Sequence, residues 1–535
     1  MRKFGRLSKL IALLLTLTLV FVAGCQSIGS VNFNTVLKNA LKVTSSESKQ
    51  TVELKLMLDE KAFVGLPEND LALMKLVSSI KLELNNVKLQ DTEHMSLDGN
   101  LIFGDEATIA FNLKMSNTLA VLELDGAKQP IVLDLTSEAL LGFSGMPADA
   151  AQEAEATAPA LDNASLTALG HQFVDTIADY IIHNMPNPEG IEVKPANETI
   201  NGQVTSLMHV HLAMNGPEIW AWVKKYVDAL VADRAGMDKM IAGVFEVLAS
   251  NPEILEAAGF MTPFEEGGLD APTPEETLKA TTDEIAVLLT DLQAELKLLE
   301  EEEQETMQEI FSEELVITAD VYVDSKLDIR KQVYELSYMP GEASELGMLP
   351  FKGLSIKLSG EAWNVNGEVK ADAPVASDTA IPAEDLAMMQ GYQILKQLDE
   401  KSVIYDLLKN KLHIGKQTIN WYPYDDYNPA IITAANITII PLRDTVDQLG
   451  AEIAYDAKTK NLKVFDEATN TTINVKIGSD TAVINGKSVK WSFPATAIEG
   501  TTYVSARDVA KALGAKIYWT TIYIDEKVFT FEREV

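Results

Sequence analysis

One thiol, a pair of imidazoles and two clusters of side chains are the groups in this chain with chemistry to offer. Cys25 is the only cysteine among 535 residues, so no disulfide and no multi-cysteine metal site can form within one chain. His209 and His211 stand two apart in the run Val204 to Ala213, which reads as a strand, and a strand turns both rings to one face. Two imidazoles are half of a tetrahedral Zn²⁺ site, but such ions want a third protein ligand. No other histidine is near in sequence, so the expectation is two polar-face strand residues and no metal centre. Glu300 to Glu303 with Glu305 gather carboxylates, yet no Asp-x-Asp-x-Asp-Gly loop frames them for Ca²⁺ and a solvated helix face is expected. Trp421, Tyr422, Tyr424 and Tyr427 cluster with Asp425 and Asp426 beside Pro423 and Pro429. Aromatics mixed with carboxylates can stack on and hydrogen-bond sugar rings; the same composition also suits an apolar seam between domains. No Gly-x-Ser-x-Gly, His-Glu-x-x-His, phosphate-loop or dinucleotide fingerprint occurs, so the sequence points to no catalytic residue and no cofactor.

Cys25 is positioned by what precedes it. Arg2, Lys3, Arg6 and Lys9 lead into a mostly apolar, uncharged run from Leu10 to Val22. This is the charged, apolar, small-residue order of a secretion signal. The run of 13 residues rises about 20 Å as a helix, short of the roughly 30 Å hydrocarbon core of a bilayer. Val22-Ala23-Gly24-Cys25 resembles the lipobox of bacterial lipoproteins. That resemblance implies removal of residues 1–24, a diacylglycerol (palmitate-type) thioether on Cys25, a tether over residues 25–30, and a protein held outside the cytoplasm on the cell membrane. An ordinary signal peptide cut nearby would instead leave the thiol idle, an oxidation hazard that acylation removes. Two acyl chains anchor stably where one does so only marginally, at about 0.8 kcal/mol per buried methylene.

The balance of 44 Lys and Arg against 79 Asp and Glu gives a formal net charge of −35, which becomes −39 once the leader's four positive charges are gone. Such a surface repels nucleic acid and anionic lipid headgroups. It confers solubility, and what it could hold loosely are cations or a cationic wall polymer. With 47% hydrophobic residues the chain can build two or more cores and is no disordered polyanion.

Periodicity then supplies the elements. Phe33 to Val43 is spaced for a helix. Val52, Leu54, Leu56 and Leu58, then Ile80, Leu82 and Leu84, then Met95 and Leu97, then Leu101 and Phe103, then Ile109 to Met115, alternate as strands of an antiparallel meander with one dry face. Residues 147–164, rich in Ala, Glu and Pro, and the Pro- and Gly-punctuated 260–274 read as loops. Helices are expected over Leu166 to Met185, Pro217 to Ser250, Pro274 to Phe311 and Ala383 to Leu408. Strands are expected at Leu315 to Val323, Val333 to Tyr338 and Leu354 to Val369. Together these predict an α+β domain over residues 31–414, a large antiparallel sheet covered by helices. Its order of tether, helix, meander and inserted helices is similar to that of half-barrel lipoprotein carriers, whose concave sheet shelters acyl chains.

The remaining residues, 415–535, contain a duplication at an offset of 64. Ile439 to Asp444 aligns with Tyr503 to Asp508, and Leu449-Gly450-Ala451-Glu452-Ile453 with Leu513-Gly514-Ala515-Lys516-Ile517. Each copy runs a short strand into a helix of about two turns, with Gly450 or Gly514 where a helix end needs a left-handed residue. Asn485-Gly486 signals a tight hairpin. Pro441-Leu442-Arg443, the two Leu-Gly-Ala triplets, Ile477-Gly478-Ser479, Ile484-Asn485-Gly486-Lys487 and Thr502-Tyr503-Val504 resemble the copper amine oxidase N-terminal-like, or stalk, domain of exported Gram-positive proteins. The resemblance covers about residues 418 to 532 and implies a smaller, duplicated β-α-β domain. Ser505-Ala506 replaces the family's usual Pro-Leu, and Asp444 and Asp508 stand where an aromatic is common. The oxidase itself is not implied: its topaquinone arises from a Tyr preceded by Asn, and none of the 14 tyrosines here has that neighbour. What is implied is a non-catalytic module for binding or spacing, one that would meet a cell-wall polymer or an envelope protein or hold a distance within the envelope. The alternative is a carrier or chaperone role for an apolar, lipid-like ligand in the α+β domain.

Overall fold

Alternating apolar residues build most of the molecule. A computed structural model describes residues 32–64, 68–104, 107–136, 163–251, 273–340, 351–422, 427–521 and 527–535. Contacts divide the chain into an N-terminal unit, up to Asp125 with Pro130–Ala380, and a C-terminal unit, Gly126–Gln129 with Ile381–Val535. Residues 381–414, which sequence spacing groups with the first domain, thus make their contacts with the second. Cys25 and its leader lie outside the described residues, as do nearly all of the two expected loops. Among the described residues no helix is long and apolar enough to cross a membrane.

The N-terminal unit is the expected α+β arrangement. Among the described residues its strands are β1 Ser46–Leu58, β2 Ser79–Leu89, β3 Met95–Phe103, β4 Ala107–Met115, β5 Leu119–Leu124, β6 Ile131–Asp134, β7 Glu192–Ile200, β8 Gln203–Asn215, β9 Leu315–Val323, β10 Ile329–Tyr338 and β11 Phe351–Trp363. They pair antiparallel in the order β6-β5-β4-β3-β2-β1-β11-β10-β9-β8-β7. One cross-strand row shows what fixes the register: Leu212, Ala319, Tyr334, Leu358, Val52, Leu82, Leu101 and Ile109 are successive partners on eight strands. A slip of one residue would turn a strand's whole apolar set to the other face, so the pattern holds the pairing. Strands β5 to β7 are not evident from periodicity. β7 is polar along most of its length and carries Pro195, which an edge strand tolerates because one side of it needs no ladder hydrogen bonds.

Helices cover the apolar face over β8 to β10. The described helices of this unit are α1 Phe33–Leu41, α2 Glu68–Val77, which lies against β2, α3 Asn163–His183, α4 Gly216–Ala232, α5 Arg234–Ser250, α6 Pro274–Glu302 and α7 Gln304–Ile310. Phe33 and Val36 of α1, Ile219 and Val223 of α4 and Met307 and Ile310 of α7 share one core with Leu212, Met214, Ile317 and Val321. Two expected helices are broken. The stretch opened by Pro217, where Asn215 and Glu218 form a capping box, stops at Asp233. That side chain accepts from the backbone N–H of Gly236 at 2.9 Å and from Asn184 Nδ2 at 2.9 Å, which caps a new helix at the cost of the old one's continuity. The stretch opened by Pro274, with its Thr273–Glu276 capping box, breaks at Glu303.

In the C-terminal unit the expected helix from Ala383 is three short ones, Ala383–Met388, Gly391–Lys396 and Val403–Asp406. Gly391 permits the first turn of the second: a Cβ there would lie 1.7 Å from the Ile414 carbonyl oxygen. The duplicated part forms three small sheets. Its two copies meet through Thr438–Pro441 and Thr501–Ser505, where Ile440 pairs with Val504 and the flanking pairs are Ile439 with Ser505 and Pro441 with Tyr503. Ile440 and Val504 are equivalent at the offset of 64, so a local two-fold axis passes between them. The helices Leu442–Gln448 and Ala506–Ala512 follow, and Gly450 (φ 72°) and Gly514 (φ 68°) take the left-handed conformation expected of them. The same closing bond recurs, Ala451 N–H to Val446 C=O at 2.9 Å and Ala515 N–H to Ala510 C=O at 2.8 Å. Asn485 and Gly486, both at positive φ, make the hairpin that joins Ile484 to Lys487.

Candidate functional site

Among the described residues two places carry side chains with chemistry to offer. The first is on β8 and β9 of the N-terminal unit. Alternation buries Val210, Leu212 and Met214 and sends His209 and His211 to the opposite face; on β9 it buries Ala319 and Val321 and sends Asp320 and Tyr322 the same way. Register sets Asp320 opposite His211 and Tyr322 opposite His209. Asp320 Oδ1 then meets both rings, 2.6 Å from His209 Nε2 and 2.8 Å from His211 Nδ1. An ionised carboxylate only accepts, so in this arrangement His209 carries a proton on Nε2 and His211 on Nδ1. Burial pushes the Asp320 carboxyl up, but the hydrogen bonds from His211 and His209 and the attraction of their charges outweigh it and hold it below its ordinary value. Tyr322 stacks on the His209 ring at 4.4 Å and 8° and so fixes its tilt. The third donor that the local sequence lacks is therefore supplied from 109 residues away. Its only trace in the sequence is that Asp320 is the one charged residue among the β9 positions that alternate away from the core.

The carboxylates from Glu300 to Glu305 do not converge in this way. Glu300 accepts from Lys224 Nζ at 2.6 Å, while Glu301, Glu302 and Glu305 point to solvent at the junction of α6 and α7, as a solvated helix face does.

The second place is the aromatic cluster. Trp421 is 7% exposed and packs on Phe529, with ring centroids 5.7 Å apart, inside the core of the C-terminal unit. It therefore offers no face for a sugar ring. Tyr422 is half-buried, Tyr424 lies outside the described residues with Asp425 and Asp426, and Tyr427 is 84% exposed. Tyr427 has Trp491 as its repeat equivalent, and that ring is buried. Next to it, Asn428 donates to Asp444 Oδ2 at 2.6 Å; in the second copy Ser492, the equivalent of Asn428, donates to Asp508 Oδ2 from its N–H at 2.7 Å and its hydroxyl at 2.6 Å. The two aspartates thus pin the segment that precedes each repeat strand.

The C-terminal unit has a closed core. Ile440, Leu442, Val446, Val464, Ile473, Val504, Ala506 and Val509 are fully buried, and Arg533 and Asp466 are sealed among them, each side chain 1% exposed. The comparisons bear on this unit alone. Residues 418–524 match the family model of the copper amine oxidase N-terminal domain. No curated protein and no solved structure matches the chain. The matched stretch of this copper amine oxidase N-terminal-like module contains both repeat copies, their glycine-ended helices and the hairpin at Asn485-Gly486. In copper amine oxidases this is a non-catalytic domain, and two of the buried polar groups of the module here are tied into structural bonds. Thr445 Oγ1 donates to the Pro441 carbonyl, and Arg533 is satisfied by Asp466, Gln417 and Leu449.

Proposed function

We propose that this protein is an extracytoplasmic lipoprotein, held on the cell membrane of a Gram-positive bacterium by diacylglycerol on Cys25, whose C-terminal module meets the cell envelope without catalysing a reaction. The match of residues 418–524 to a non-catalytic domain carries this reading. The lipobox-like Val22 to Cys25 supplies the anchor, and the exposed Tyr427 offers the module an aromatic contact to a wall polymer or envelope protein. A chain lacking residues 381–535 tests it. Its retention on purified cell wall, or its cross-linking to envelope proteins, should fall by about tenfold or more, the equivalent of about 1.4 kcal/mol. Retention and cross-linking equal to those of the full chain would remove the module's role.

A second reading, carriage of an acyl chain, has one observation in its favour. The apolar row that is buried over β8 to β10 continues across β11, β1, β2 and β3, where Ile356, Val52, Leu54, Ile80, Leu82 and Leu101 stay part-exposed. Apolar side chains left partly in water on a rigid sheet are a surface for lipid tails. If it is right, a Cys25→Ser chain purified from cells should carry lipid in organic extracts, in about molar proportion. Absence of lipid would leave the envelope module as the sole function.

A further inference from the structure

We propose that His209, His211 and Asp320 form a binding site for one late first-row divalent metal ion, Zn²⁺ being the best fit, on the face of the sheet turned away from the core. The donor set is two imidazole nitrogens and one carboxylate oxygen, whose ligand atoms all lie within 4.8 Å of one another. Imidazole with a carboxylate suits Zn²⁺ and its neighbours, whereas Ca²⁺ and Mg²⁺ want oxygen alone. Three protein ligands leave the fourth position of a tetrahedral ion for water or another carboxylate. Register places Glu192 on β7 opposite His211 on the same face.

The geometry needs little change to accept the ion. Ligands about 2.1 Å from a tetrahedral ion are about 3.4 Å apart. Oδ1 of Asp320 is now 2.6 and 2.8 Å from the two ring nitrogens, with a proton in each gap. Exchanging those protons for the ion opens each gap by roughly 0.7 Å, within reach of the Asp320 side-chain torsions. The supports are already in place. All three residues sit on paired strands rather than loops, Tyr322 clamps the His209 ring, and Lys331 beneath Tyr322 is held by Glu198 at 2.8 Å. His209 is 12% exposed, His211 36% and Asp320 30%, so the site is shielded on one side and open to an entering ion on the other. Lys194, opposite His209, is exposed and can turn into solvent.

The full chain, extracted in detergent, stripped with chelator and then incubated with Zn²⁺, should retain about one Zn²⁺ per chain after desalting, measured by elemental mass spectrometry. His211→Asn and Asp320→Asn should each weaken retention by at least about 100-fold. His413→Asn, which removes an imidazole paired with Glu534 in the other unit, should leave it unchanged. In the unaltered chain Co²⁺ should give the visible absorption bands of a four-coordinate nitrogen and oxygen site, a readout that does not depend on how the variants fold. A reloaded chain that retains no Zn²⁺ and shows no Co²⁺ bands would overturn the proposal. So would retention equal to that of the parent in both ligand variants.

Discussion

Arg533→Ala should destabilise the C-terminal unit by about 3–5 kcal/mol, because it leaves a buried carboxylate with no counter-charge. Arg533 meets Asp466 through two bonds, Nη1 to Oδ2 at 2.6 Å and Nη2 to Oδ1 at 3.0 Å, and its Nε donates to Gln417 Oε1 at 2.7 Å. Both charged side chains are 1% exposed, so water cannot replace either partner. For a unit of this size the loss corresponds to a fall of roughly 10 °C in the midpoint of its calorimetric transition. Exchanging the pair together, Arg533→Met with Asp466→Leu, should cost much less, since the desolvation of both charges disappears with them. A transition within about 1 kcal/mol of the parent's in Arg533→Ala would show that the pair is not what closes this core.

The same pair sets an acid limit. Burial pushes the Asp466 carboxyl up, but hydrogen bonds from Arg533 and Thr469 and the guanidinium charge bring it below its ordinary value. The unfolded chain then binds a proton that the folded one does not, so the group's contribution is complete above the unfolded value of about 3.9. It is lost as pH falls from there through the folded value, so the unit's acid transition should begin below about pH 4.

Much of the architecture was legible because it rests on local pattern. The alternating runs of β1 to β4 and β9 to β11 mark one dry face, and the duplicated Leu-Gly-Ala triplets mark the two helix ends that Gly450 and Gly514 close. What was hidden depends on pairing between distant strands. His209 and His211 declare themselves, but Asp320 joins them only through the β8–β9 register, and Arg533 and Asp466 are 67 residues apart. β7 is polar because it is an edge, which removes the signal that marks an inner strand. The breaks at Asp233 and Glu303 were missed for a related reason: apolar spacing continues across them, and it is the Asp233 cap to Asn184, a tertiary bond, that ends the first helix. Trp421 reads as a surface aromatic beside prolines and carboxylates until its pairing with Phe529 places it inside.

The anchor is the claim on which the functional account depends, and Cys25→Ser tests it most directly. Cys25 is the only thiol in the chain, and it follows a short apolar run and the small residues Ala23 and Gly24. Serine cannot form the thioether, so the two proposed acyl chains would be lost, and with them about 0.8 kcal/mol for every methylene they would bury. A net charge of −39 on the processed chain gives no electrostatic attraction to an anionic membrane in compensation. The measurement is cell fractionation with mass spectrometry of the N-terminal peptide. The parent should be found with membranes, beginning at a diacylglyceryl-modified Cys25, and the variant should be released to the medium or remain as the uncleaved precursor. A cleaved variant that stays with membranes to the same extent as the parent, or a parent whose N-terminal peptide carries an unmodified thiol, would contradict the account.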